Sequence, residues 1–98
     1  MNIVELEKNA GEAAELLGAM ANQRRLVVLC RLLEGEKSVN ALAESVGLSQ
    51  SALSQHLAKL REKGLVSTRR DAQTIYYRIA SEEVRSVLST LYGIYCAC

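Results

Sequence analysis

Gln50, Ser51, Ser54 and Gln55 follow one another at steps of one, three and one, which puts four short polar side chains on one face of a helix, with Lys59 a turn further on. Glutamine can pair bidentately with the edge of adenine, and a serine hydroxyl serves as donor or acceptor. Such a face therefore suits base edges in a major groove and lacks the bulk that would keep a helix out of it. Downstream, Arg69 and Arg70 with Gln73 lie in a stretch of extended character. Guanidinium groups placed there would hold phosphates or enter a minor groove, positioning the chain while reading little sequence. A groove reader followed by a backbone clamp predicts double-stranded DNA as the partner.

The other reactive side chains are thiols. Cys30, Cys96 and Cys98 make an odd number, which argues against a disulfide framework and leaves reduced thiols, soft-metal ligands or redox sensors. Cys30 lies in an apolar run, where a free cysteine is often just a small buried hydrophobe. His56, the sole histidine, sits in the polar helix without nearby thiols or carboxylates and reads as a packing or hydrogen-bonding residue rather than a ligand. No Cys-x-x-Cys, Ser-His-Asp set, glycine-rich phosphate loop or pocket-forming carboxylate pair is present. The expectation is a binding protein with no cofactor, not an enzyme.

Net charge is only +1, so any attraction to a polyanion depends on clustering. Residues 1–20 carry four glutamates against Lys8, a net −3, whereas residues 59–78 carry six Lys and Arg against Glu62 and Asp71, a net +4. No apolar run approaches the roughly 18 to 20 residues that span a bilayer. The acidic N-terminus does not resemble a secretory signal, so the expectation is a soluble, cytoplasmic chain without a membrane partner.

Ninety-eight residues fit one domain with one small core. Leu6, Ala10, Ala13, Leu17 and Met20 stripe a first helix over residues 4–20. Asn22 caps a second, whose run from Leu26 to Leu33 is apolar nearly all round, as in a central core helix, and Gly35 ends it. Ser38 caps a short third helix stopped by Gly47. Ser49 caps a fourth, with Leu53, Leu57 and Leu60 inward. The segments Leu65–Arg70 and Thr74–Ile79, joined by Asp71, Ala72 and Gln73, read as a hairpin. Ser81 caps a fifth helix striped by Val84, Val87, Leu88, Leu91, Ile94 and Tyr95. Tyr76 and Tyr77 alternate on a strand, one inward and one outward, and Tyr92 and Tyr95 pack in a helical interface.

Four helices, two strands and a fifth helix make a mainly α winged helix-turn-helix, with the DNA-binding core over residues 22–80. The stripes of the flanking segments, 1–21 and 81–98, exceed what that core needs. They predict a homodimer joined through the first and last helices, with reading helices about 34 to 36 Å apart on an inverted-repeat site. A winged helix serving only as a protein-interaction module is the other reading of the same elements.

The stretch AMANQRRLVVLCRLLEGEKSVNALAESVGLSQSALSQHLAKLREKGLVSTRRDAQTIYYRI resembles the ArsR/SmtB family of bacterial repressors, most closely in SQSALSQHLAKLREKGLV and RRDAQTIYYRI. The resemblance covers nearly the whole chain. It implies that Gln50, Ser51, Ser54 and Gln55 contact the groove, that the first and last helices dimerise, and that an effector releases DNA. Arsenic-type members have a cysteine pair where this chain has Ser38, Val39, Asn40 and Ala41, and zinc-type members have His and Asp on a last helix that contains no His here. Cys30 and Cys96 are similar to the pair in the branch that senses reactive sulfur species, where the two join through a disulfide or a longer sulfur bridge. The competing ligand set is Cys30, Cys96 and Cys98 on a soft ion such as trivalent arsenic or cadmium.

Overall fold

A computed structural model describes residues 1–96. Side-chain caps set most of its element boundaries. Asn2 accepts from the Glu5 amide to open α1 (Ile3–Lys8), and the chain continues as α2 (Ala10–Met20). The single helix expected over residues 4–20 is thus two. At Asn9 the side-chain Nδ2 donates to the Glu5 carbonyl at 3.0 Å and the backbone turns out of helical geometry. An asparagine that bonds its own upstream backbone competes with helix propagation, which is why the break falls there.

Asn22 accepts from the Arg24 and Arg25 amides to start α3 (Gln23–Leu33). Lys37 and Ser38 then form a short strand, β1 (Lys37–Ser38). Ser38 caps α4 (Val39–Val46) and Ser49 caps α5 (Gln50–Glu62), each accepting from the amide three residues on. Such caps are worth about 1 kcal/mol apiece. The three-residue connection from α4 to α5 is tight because Gly47 takes a left-handed conformation, φ 69°, and directs the Leu48 amide back to the Ala43 carbonyl.

The chain then forms β2 (Val66–Asp71) and β3 (Thr74–Ile79), and ends in α6 (Glu82–Tyr95), capped by Ser81. Two expectations are corrected here. The sheet has three antiparallel strands in the order β1-β3-β2, because the extended backbone that Ser38 needs as a cap also lets it pair with Tyr76, beside Lys37 with Tyr77. The connection between β2 and β3 is only Ala72 and Gln73, since Asp71 pairs with Thr74.

Leu29 and Leu32 from α3, Leu42 from α4, Leu53, Leu57 and Leu60 from α5 and Val84 from α6 are almost wholly buried, and Val66, Ile79 and Leu88 close the core around them. Each large aliphatic side chain so buried contributes roughly 1.5–3 kcal/mol. The core uses only one side of α3, not all of it: Val28 is buried, while Val27 and Leu33 are about two-fifths exposed. The flanking stripes also divide. Met20, Val84 and Leu88 join the core, whereas Ile3, Val4, Leu6 and Leu17 at one end of the sequence and Tyr92, Ile94 and Tyr95 at the other stay more than half exposed.

Candidate nucleic-acid interface

The three buried leucines of α5 fix which way its other side chains face. With Leu53, Leu57 and Leu60 locked inward, Gln50, Ser51, Ser54, Gln55 and Lys59 are all exposed. Gln50 Nε2 donates to the side-chain oxygen of Asn40, so the second residue of α4 orients the first residue of α5. Nothing in the sequence alone singles out Asn40. The contact crosses the turn between two helices, and no spacing rule within either helix reports it.

The wing sorts its own side chains by strand alternation. Arg70 pairs with Ile75, and Thr68 with Tyr77, on the face that continues inward to the buried Val66 and Ile79. A cleft of about 330 Å³ lies on that side, lined by Asn40, Gln50, Ser54, Gln73, Ile75 and Tyr77 among others. Gln73 at the hairpin tip thus shares one cleft with Gln50 and Ser54 of the helix. Arg70 is exposed and, among the described residues, has no carboxylate partner.

Arg69 takes the other face, opposite Tyr76. Its Nη2 lies 2.6 Å from Glu36 Oε1, its Nε donates to both Glu36 oxygens at 3.1 and 3.2 Å, and its guanidinium carbon is 4.6 Å from the centre of the Tyr76 ring. The hydrogen bond from Arg69, aided by the charges of Arg69 and Arg78, holds the Glu36 carboxyl below its ordinary range against a smaller opposing effect of burial. The same pair raises the Arg69 pKa. Glu36 is a second functional candidate that the sequence did not disclose, since the partners are 33 residues apart.

His56 is half-buried on the flank of α5. Burial lowers its pKa from 6.5, and the charges of Arg25, Lys59 and Arg24 lower it further. Arg25 is itself fixed, its Nε donating to the Ala19 carbonyl at 2.6 Å. The imidazole is therefore neutral near neutral pH and lies in a basic neighbourhood beside the polar face.

Cys30 and Cys96 are both exposed and both free. Cys30 sits on the outer side of α3 rather than in the core, and Cys96 caps the end of α6, its amide bonding the Tyr92 carbonyl at 2.8 Å. Cys98 lies outside the described residues. Among those described, no three His, Cys, Asp or Glu side chains group as a metal site. A cleft of about 530 Å³ between α2, the chain just after α5 and the start of α6 is lined by none of the polar-face, wing or cysteine side chains considered above. A duplex is met by a convex helix and a protruding wing, so cleft volume is a poor guide to this interface.

Residues 22–68 match the family described as bacterial regulatory protein, arsR family. The chain is similar to the transcriptional activator HlyU of Vibrio cholerae, 54% identical over 96 residues that cover 98% of this chain and 89% of that protein. Among solved structures it is similar to reduced HlyU from the same species, with a TM-score of 0.87 and 54% identity over 94% of this chain and 97% of that one. It is also similar to the transcriptional repressor BigR from Xylella fastidiosa, with a TM-score of 0.95 and 41% identity over the full length of both chains.

Proposed function

The chain belongs to the arsR family of bacterial regulatory proteins, and from that premise we propose that it is a cytoplasmic homodimeric repressor, not an enzyme, whose release from an inverted-repeat operator is triggered by linking Cys30 to Cys96. One observation carries the DNA half of the reading. Gln50, Ser54 and Gln73 meet at one cleft, with the cationic wing on one side and Lys59 on the reading helix, so base readers and phosphate contacts can engage together. The exposed apolar side chains of α1, α2 and α6 support a second copy as the partner that covers them.

The trigger rests on two exposed thiols whose side chains the core does not use. A thiolate at one cysteine takes a sulfane sulfur from a donor RSSH, releasing RSH and leaving a protein persulfide. The second thiol attacks that persulfide, closing a disulfide and expelling hydrogen sulfide. Two protein persulfides instead condense to a trisulfide with loss of one hydrogen sulfide. A peroxide reaches the disulfide through a sulfenic acid and water. Any of these links would tie α3 to α6, altering how two subunits hold their reading helices, which is the differential geometry that coupling between sites requires.

Intact mass and peptide mapping after separate exposure to a persulfide donor, a peroxide and arsenite, paired with DNA binding, test this directly. A Cys30–Cys96 crosslink, about 32 Da heavier when a trisulfide forms, together with lost DNA binding, is expected. Retained arsenic would move the sensor to a soft-ion site that includes Cys98. DNA binding unchanged by all three would remove the thiol trigger.

A further inference from the structure

We propose that Glu36 is a positioning residue for the wing: by holding Arg69 it leaves Arg70, and not Arg69, as the wing cation that meets DNA phosphate. The inference rests on the DNA-binding reading and refines it.

The geometry of Arg69 leaves little for a phosphate to take. Nε and Nη2 are engaged in a two-pronged contact with one carboxylate, Nη1 is 3.9 Å from Asp71 Oδ2, and one face of the guanidinium lies over the Tyr76 ring. Two-pronged arginine–carboxylate pairing is the strong form of the interaction, so an approaching phosphate must displace a matched partner rather than water. Arg70 leaves β2 on the opposite face, the face of Ile75 and Tyr77 that borders the cleft shared by Gln50, Ser54 and Gln73. It has no carboxylate to give up among the described residues.

The position of Glu36 explains what the contact does. Glu36 lies between Gly35, whose φ of 136° turns the chain after α3, and Lys37 of β1. That strand supports β3 only at Tyr76 and Tyr77. Beyond that point the hairpin is two strands alone, paired at Arg70 with Ile75 and Asp71 with Thr74. A bare two-stranded ribbon is marginally ordered in water. Glu36 reaches Arg69 on the outer strand at the last level where the sheet is three strands wide, so it ties the projecting tip to the end of α3. Exposed ion pairs add little to global stability, and the consequence is the direction in which Arg70 and Gln73 point.

Fluorescence anisotropy with a mixed-sequence duplex of about 30 base pairs, titrated with salt, separates the two arginines. Arg70→Ala should reduce the slope of log affinity against log salt by about one per subunit. Arg69→Glu should weaken binding roughly tenfold or more, and adding Glu36→Arg should bring affinity back to within about threefold of wild type, because the strut is rebuilt with its charges exchanged. In the free protein, Glu36→Gln should raise the fast backbone motion of the Arg70 and Gln73 amides in heteronuclear relaxation. A double exchange no better than Arg69→Glu alone, or Glu36→Gln binding more tightly with a steeper salt slope, would overturn the assignment by showing that Arg69 itself takes phosphate. Wild type that binds no duplex at low salt would remove the DNA-binding reading instead, and the amide relaxation would still report whether Glu36 holds the hairpin.

Discussion

Asn40 and Gln50 are hydrogen-bonded side chain to side chain, acceptor on α4 and donor on α5, so the first residue on the exposed polar face of α5 is oriented from outside its own helix. With Nε2 engaged, Gln50 keeps its Oε1 and one remaining N–H for a base edge. A bidentate glutamine–adenine pair is worth roughly 1–3 kcal/mol of discrimination when its geometry is fixed. Both residues are exposed, so the contact adds little to folding, and under the proposed DNA-binding reading its effect falls on recognition.

Asn40→Ala is therefore expected to leave the melting temperature unchanged and to reduce the ratio of operator to mixed-sequence affinity about three- to tenfold, or roughly 1 kcal/mol. Competition binding between an operator selected from random duplexes and a scrambled duplex measures that ratio. An unchanged ratio would mean that DNA itself orients Gln50.

The C-terminal half of α6 carries a second expectation. Ile94 and Tyr95 are 63% and 80% exposed, too much for side chains of this type to serve the core of one subunit. Ile94→Glu should give a monomer in sedimentation at about 10 µM and cost the subunit core no more than about 0.5 kcal/mol, since it removes no buried contact there. Wild type that sediments as a monomer would remove the proposed homodimer, and a variant that remains dimeric would place its interface elsewhere.

What the sequence disclosed, and what it did not, follows from the range of each interaction. Asn22, Ser38, Ser49 and Ser81 each cap the helix they precede, and Gly47 takes the left-handed turn, because capping and glycine turns are local events within four residues. The exposed face of α5 was legible for the same reason, from the period of Leu53, Leu57 and Leu60. The break at Asn9 was hidden because the alanine and leucine period runs straight through it. The pairing of Ser38 with Tyr76 and the grip of Glu36 on Arg69 are tertiary, fixed by how the sheet assembles rather than by neighbouring residues, and Cys30 faces outward because the core takes only the Val28, Leu29 and Leu32 side of α3. Arg69 and Arg70 looked equivalent in sequence, and only the register of β2 against β3 sends them to opposite faces.

The hairpin tip holds a residue in an unfavourable backbone conformation. Ala72 has φ 56°, the left-handed region where a side chain costs roughly 1 kcal/mol and glycine does not. Ala72→Gly should relieve that strain, offset in part by the greater freedom of glycine in the unfolded chain, for a net gain of up to about 0.5 kcal/mol in denaturant unfolding. Destabilisation by more than that would mean the alanine methyl has a packing role at the tip.

His56 gives the fold a pH dependence with a definite sign. In the unfolded chain its imidazole titrates at its ordinary value, 6.5, whereas burial and then the charges of Arg25, Lys59 and Arg24 lower that value in the folded state. Between the two values the unfolded chain holds more protons than the folded one, so stability falls as pH is lowered through 6.5 and levels off below the folded pKa. Glu36, a carboxylate held below its ordinary 4.5, loses its contribution as pH falls below that value. Urea unfolding at intervals between about pH 5.5 and 7.5 should show wild type losing stability toward the acid end while His56→Gln loses markedly less, because glutamine has no proton to exclude from that basic flank of α5. Parallel curves for the two proteins would show that His56 titrates alike in the folded and unfolded chains, and that the cations around it are screened by water.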